Sequence, residues 1–246
     1  MKKIVCLLLS ISLCSIAFAH DEPDPHPTAW KKCAGLGLNL TDGNSEATSL
    51  SVGLGADREK DGEIWHFAFD FNYGEQTNSE GVEDTTVERY IGDATYQHLL
   101  SERLYAGGGL NFPGDAVSEV EYRVNTFATL GYFYVKQDNF DAYVEVGPGY
   151  IFEEVDEIDN DYFAPRVSEG FDWKISETSR LFHNASVAFD IDDSDNYLVT
   201  AELGIEGAIT DTVTISTTIT DIYDNQPAVD FERNDIQIVT SLNYLF

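Results

Sequence analysis

Basic residues are scarce in this chain: 14 Lys and Arg stand against 44 Asp and Glu, a formal net charge of −30. That balance leaves no electrostatic footprint for nucleic acid, which is excluded as a partner. Cysteine is sparse too, with only Cys6, Cys14 and Cys33. The first two fall in a stretch that reads as a removable secretory leader over residues 1–19. Lys2 and Lys3 form its positive start, Ile4 to Ala17 its apolar centre, and Ala17-Phe18-Ala19 a small-x-small cleavage site. Cleavage leaves Cys33 as a single thiol, so no internal disulfide is expected in an otherwise oxidising destination. Cys33 reads as a small half-buried hydrophobe rather than a reactive group. A lipid-anchor reading of Cys6 or Cys14 fails, because Val5 and Leu13 stand where a small residue is needed. Long apolar runs are missing as well. The leader's run is shorter than the ~20 residues that a spanning helix requires, and nothing else approaches it, so any membrane crossing must be made by strands.

What the chain does have is alternation. Residues 20–29 form a proline-rich, charged lead-in, in which His20 and His26 lack further ligands at metal spacing. From Trp30 to Phe246 the sequence reads as one barrel domain, because nearly every segment carries apolar residues at every second position. The clearest row is Trp65, Phe67, Phe69, Phe71 and Tyr73, with His66, Ala68, Asp70 and Asn72 between them. The chain ends in a similar row of Ile236, Ile238, Leu242, Tyr244 and Phe246, where termini are ordinarily polar and frayed. Leu242, Tyr244 and Phe246 resemble the terminal assembly signal of bacterial outer-membrane barrels. About twelve such rows can be counted, each of the length that a tilted transmembrane strand needs. Trp30, Trp65, Tyr73, Tyr122, Tyr134, Trp173, Tyr197 and Tyr223 fall at row ends, as interfacial girdles require.

The connections point the same way. Glu59 to Gly62, Ser101 to Arg103, Gln137 to Asn139, Glu177 to Ser179 and Thr210 to Thr212 are tight links. Glu75 to Asp84, Pro113 to Glu121, Val155 to Asp161, Ile191 to Asp195 and Asp224 to Arg233 are longer and mostly acidic, with Thr41 to Ser45 the short exception. The expected fold is therefore all-β: a closed, antiparallel, up-and-down transmembrane β-barrel with short periplasmic turns and longer acidic extracellular loops. Pro148 and Pro165 interrupt rows that should be paired on both sides, so a bulge or a loop-proximal position is expected at each. Glu169 has the parity of the lipid-facing row, which is costly away from an interface.

Read together, GLGLNLTDGNSEATSLSVGL, ERLYAGGGLNF, EVGPGYIFE, IYDNQP and SLNYLF resemble the domain of unknown function 481 family, whose members are called salt-induced outer-membrane proteins. The resemblance spans Trp30 to Phe246. It implies an outer-membrane barrel and a link to ionic stress, and it brings no catalytic residue and no cofactor.

If the apolar rows face lipid, the opposite parity faces a lumen. That set is small along some strands (Gly35, Gly37, Ser49, Ser51, Gly53, Gly107, Gly109, Ser216) and charged along others: Asp70, Arg89, Asp93, Arg123, Glu145, Glu153, Arg166, Asp172, Glu202 and Glu206. Two readings stay open. Either arginines and carboxylates pair across a filled interior, or they line a narrow passive pore for cations or small polar solutes; strand number does not decide between them. The glycines complete no phosphate-binding loop and read as points of sheet curvature. Asp190, Asp192, Asp193 and Asp195 lack the Gly and Glu of a calcium loop, so no metal site is expected beyond weak attraction of divalent cations to the outer rim. The expected partners are outer-membrane lipids, lipopolysaccharide and the barrel assembly machinery. A lipid-modifying enzyme is the alternative from another class. His183 with Ser186, and His98 with Ser101, are its nearest approaches to a triad, and in each the serine takes the wrong side. A secreted, ligand-binding β-sandwich is the third reading.

Overall fold

The computed structural model describes residues 30–41, 47–77, 83–115, 120–155, 158–226 and 233–246. The expected leader and lead-in, with His20 and His26, lie outside the described residues. The fold is built of β1 (Lys31–Thr41), β2 (Ala47–Lys60), β3 (Glu63–Thr77), β4 (Glu83–Leu99), β5 (Leu104–Asp115), β6 (Val120–Gln137), β7 (Phe140–Gly147), β8 (Gly149–Val155), β9 (Ile158–Phe163), β10 (Arg166–Ser176), β11 (Ser179–Phe189), β12 (Tyr197–Thr210), β13 (Val213–Asp224) and β14 (Asn234–Leu245). All pairings are antiparallel between neighbours. β5 joins β6, and β14 returns to β1, so the sheet closes on itself.

Fourteen segments make twelve staves, because proline breaks two of them. β8 continues β7 beyond Pro148: β6 pairs with β7 along its turn-side half and with β8 along the rest. β9 leads into β10 through Ala164 and Pro165 in the same manner. At the first break the ladder still holds, since the Pro148 carbonyl accepts from the Ala128 amide at 3.0 Å. Each proline thus sits where the sheet needs no donor from it.

Closure is made at the terminal row. Cys33 lies opposite Leu245 and Leu38 opposite Thr240. Lys32 and Phe246 exchange both backbone hydrogen bonds, at 3.2 and 3.0 Å. With the first and last strands joined, and β5 joined to β6, the sheet is a closed ring and the sandwich reading falls.

One rim is tight. Asp61 and Gly62 (φ 54° and 81°) form a two-residue turn with both φ values positive, the Asp-Gly geometry whose twist matches the flanking strands. Elsewhere on this rim hydroxyls cap the bends: Ser101 Oγ accepts from the Leu104 amide at 3.0 Å, and Thr210 Oγ1 from the Val213 amide at 3.0 Å. On the opposite rim the strands run further than the sequence suggests. β3 reaches Thr77 and β6 begins at Val120, so part of what reads as loop is extended hairpin.

The two faces separate by parity. Leu36, Leu38, Leu50, Leu54, Phe67, Phe69, Phe71, Leu203 and Ile238 are exposed on the outside, while Asp70, Asn72, Arg89, Glu202 and Ser241 are buried within. This inverts the arrangement of a water-soluble protein: the oily side is outside and the polar side is the core.

Candidate functional site: the barrel lumen

One arc of the wall is built from small side chains. Gly37 lies opposite Ser51 and Ser241, and Gly35 opposite Gly53. Ser216 and Ser241 hydroxyls meet at 2.8 Å, Asn243 Nδ2 donates to Ser216 at 3.2 Å, and Ser51 donates to Asn72. The polar lattice along this arc is dense, and Ser51, Asn72, Ser241 and Asn243 are all within a few per cent of full burial.

The charged residues lie inside at three levels. Near the tight rim, Arg180 pairs with Asp172, and His66 Nδ1 meets Asp57 at 2.6 Å. At mid-height Glu145 accepts from Tyr105 and Ser168 hydroxyls at 2.8 Å each. Asp93 accepts from Asn111 Nδ2 at 2.8 Å, and Asn111 in turn accepts from Asn125 at 3.0 Å. Arg166 lies with its guanidinium 4.7 Å from the centre of the Phe127 ring. Towards the loop rim Arg123 donates to Glu153 at 2.5 Å and reaches Asp224 at 3.5 Å. Arg123 is on β6 and Asp224 on β13, strands on nearly opposite sides of the ring. This ion triad therefore spans the interior, and all three members are under a tenth exposed.

Asp70, Arg89, Glu202 and Glu206 also point inward, Asp70 and Glu202 fully buried. Around the mid-height level lies a cavity of about 330 Å³, lined among others by His66, Asp93, Asn111, Asn125, Tyr143, Glu145, Arg166, Ser168 and Thr200. The inward carboxylates Asp57, Asp70, Asp93, Glu145, Glu153, Asp172, Glu202, Glu206 and Asp224 outnumber the inward guanidiniums of Arg89, Arg123, Arg166 and Arg180.

Sequence reading missed the apolar part of the interior. Ile91, Tyr105, Ile151, Tyr162, Phe182 and Ile222 are all buried within, and Ile151, Tyr162 and Ala164 form a cluster beside Ala188. The inward glycines also do more than curve the sheet. The Tyr105 ring lies over Gly131 and that of Phe182 over Gly204, where a Cβ would stand 2.1 Å from the nearest ring carbon in each case. The glycine is the seat of the neighbouring ring.

The remaining candidates separate. Ser186 lines the cavity, whereas His183 lies on the outer face opposite Phe171 and Leu203. Ser101 serves the turn after His98. Asp190 and Asp193 each accept from the backbone amide two residues on, at 2.8 and 3.1 Å, and Asp193 also accepts from Gln226 Nε2 at 2.9 Å. Among the described residues no three His, Cys, Asp or Glu converge as metal ligands.

Solved structures of similar fold are outer-membrane barrels. The translocator domain of the autotransporter NalP from Neisseria meningitidis has a TM-score of 0.53 at 13% identity, over 92% of this chain and 90% of that one. The NanC porin gives 0.52 at 10% identity, over 89% and 99%. The outer membrane phospholipase A of Escherichia coli gives 0.50 at 12% identity, over 92% and 95%. These likenesses establish the fold alone, since a porin and a phospholipase share it. No curated protein matches the chain in sequence. The family model described as "Protein of unknown function, DUF481" matches residues 34–246, nearly the whole of the barrel, and the chain belongs to that family.

Proposed function

We propose that the protein resides in the outer membrane as a narrow passive pore that prefers cations and small polar solutes. The observation that carries this reading is the cavity of about 330 Å³ within the lumen, onto which Asp93, Glu145 and Arg166 face, together with the lumen's excess of inward carboxylates. A barrel that served only to stiffen the envelope would gain nothing from a void with charged side chains at its centre, whereas a pore needs one. Carboxylates in excess favour the entry of cations and oppose that of anions. The Arg123 triad narrows the path near the loop rim, so the unit conductance is expected to be small.

The oily exterior suits lipid and the lipid chains of lipopolysaccharide, with Leu242, Tyr244 and Phe246 serving the assembly machinery and the acidic loop rim attracting divalent cations. The reading includes no catalysis: among the described residues the acid paired with His183 is Glu169, and the register partners of His183, Phe171 and Leu203, offer no hydroxyl nucleophile. The triad also favours a second reading, a sealed structural barrel. Planar-bilayer recording separates the two. The pore reading expects small unitary events and a reversal potential displaced towards the cation equilibrium value under a salt gradient. Inserted protein that gives no events at any voltage refutes the pore and leaves the sealed barrel.

A further inference from the structure

The outer face carries a feature that neither a pore nor a sealed barrel uses. Glu169, on β10, points outward with 59% of its side chain exposed. Along its own stave it stands between Val167 and Phe171, with Trp173 and Ile175 beyond on the tight-rim side. Its register partner Ala185 lies midway between Leu181 and Phe189 on β11. An ionisable group is thus set inside the apolar band, where it is rare and costly unless it is paired.

Among the described residues its ion-pair neighbour is His183, which is incompletely engaged. His183 Nδ1 lies 2.6 Å from the Glu202 carbonyl oxygen, which can only accept, so that nitrogen carries a hydrogen and the ring orientation is fixed. Nε2 is then turned outward, 3.6 Å from Glu169 Oε1, beyond hydrogen-bond length. An acceptor and an imidazole nitrogen therefore stand side by side on the lipid face, each with capacity unused. Next to them the outward row is small at Ala185 and at Ala201 on β12 before it reaches Asp221 on β13, in contrast to the ring-covered face of β3. Small residues beside a polar pair let two backbones approach closely.

We infer that this face is a contact between two copies of the chain. The pair is self-complementary: about a two-fold axis along the membrane normal, Glu169 of one barrel meets the partner's His183, and the partner's Glu169 meets His183 of the first. A second copy, held at the same depth by the same girdles, brings acid to imidazole and imidazole to acid. Lipid tails offer neither. The inference rests on the bilayer placement proposed above, and not on whether the lumen conducts.

The test is the association state of the full mature chain, by sedimentation in detergent and by energy transfer between labelled barrels in lipid vesicles. The wild type is expected to dimerise, and E169L and H183L each to weaken association at least tenfold. Both variants place leucine against lipid and should keep the compact gel migration of a folded barrel. The exchange variant E169H/H183E, which rebuilds the pair, is expected to dimerise again. Mixing E169L with H183L restores one acid–imidazole contact that neither variant can make with itself, so mixed pairs should exceed either self-pair. A monomeric wild type overturns the inference, as does association that is unchanged in E169L and H183L, which would leave the pair to lipid alone. A mixture without preference for mixed pairs also overturns it. If the barrel fails to enter vesicles at all, the bilayer placement fails instead, and that result is read separately from the floated lipid fraction.

Discussion

Substituting Arg123 by methionine should be the most damaging single change to the interior that leaves the fold intact. Arg123 is 5% exposed, Glu153 7% and Asp224 6%, so the triad is shielded from solvent. The substitution keeps an unbranched apolar stem but removes the guanidinium, and so strands two carboxylates that lose their shared cation. Breaking a buried pair by removing one partner costs about 3–5 kcal/mol, most of it the desolvation of the charge left behind. The assay is urea unfolding of the barrel in lipid vesicles, followed by tryptophan fluorescence. R123M should lower stability by about that amount, while R123M/E153Q/D224N, which removes all three charges, should recover most of it, because the pairing of a fully buried triad roughly offsets its own desolvation. In bilayers R123M should also raise unit conductance, since the side chain that spans the lumen is gone. A loss of less than ~1 kcal/mol would place the triad in the range of exposed pairs. The reasoning that treats the three side chains of the triad as desolvated would then be refuted.

Other consequences follow from particular contacts. Gly204→Val places a Cβ where it would stand 2.1 Å from Phe182 Cζ, so chemical unfolding should show a loss of about 1–3 kcal/mol from overpacking, relieved in part by F182A on the same background. Deleting Phe246 removes both backbone bonds with Lys32, each worth about 0.5–1.5 kcal/mol, and should lower the fraction of compact, unheated barrel on a gel. Pro148→Ala should change stability by less than ~1 kcal/mol, since Pro148 contributes to the ladder through its carbonyl and the substitution keeps it. Equal losses for P148A and G204V would contradict this account of the stave break.

Much of this fold could be read before any coordinates, and the reason is the period of two. A strand alternates its side chains between two faces, so Trp65 to Tyr73 on one side and His66 to Asn72 on the other sort themselves without knowledge of the partners. The even parity of Leu242, Tyr244 and Phe246 and the tight Asp61-Gly62 turn are likewise local. Contacts set by the shear of the closed ring were not legible. Nothing near Arg123 in sequence indicates that Asp224, on the far side of the ring, lies 3.5 Å away. Nothing in Gly131 or Gly204 announces the ring that occupies the space above it. The inward Tyr105 and Phe182 have the parity of lumen residues but the chemistry of the outer row. The outward parity of Glu169 was legible; its meeting with His183 depends on the β10–β11 register, with Glu169 opposite Ala185 and Phe171 opposite His183.

The central claim is that hydrocarbon, rather than water or protein, covers the outer rows, and the three tryptophans report on it directly. Trp30, Trp65 and Trp173 all lie on the outside, each a little more than a third exposed. The measurement is the quenching of their fluorescence in vesicles whose lipid chains carry bromine, compared with quenching by aqueous iodide. Strong quenching by the brominated chains with little effect of iodide is the predicted result. Iodide quenching as strong as that of free tryptophan, with no response to the brominated chains, would contradict it.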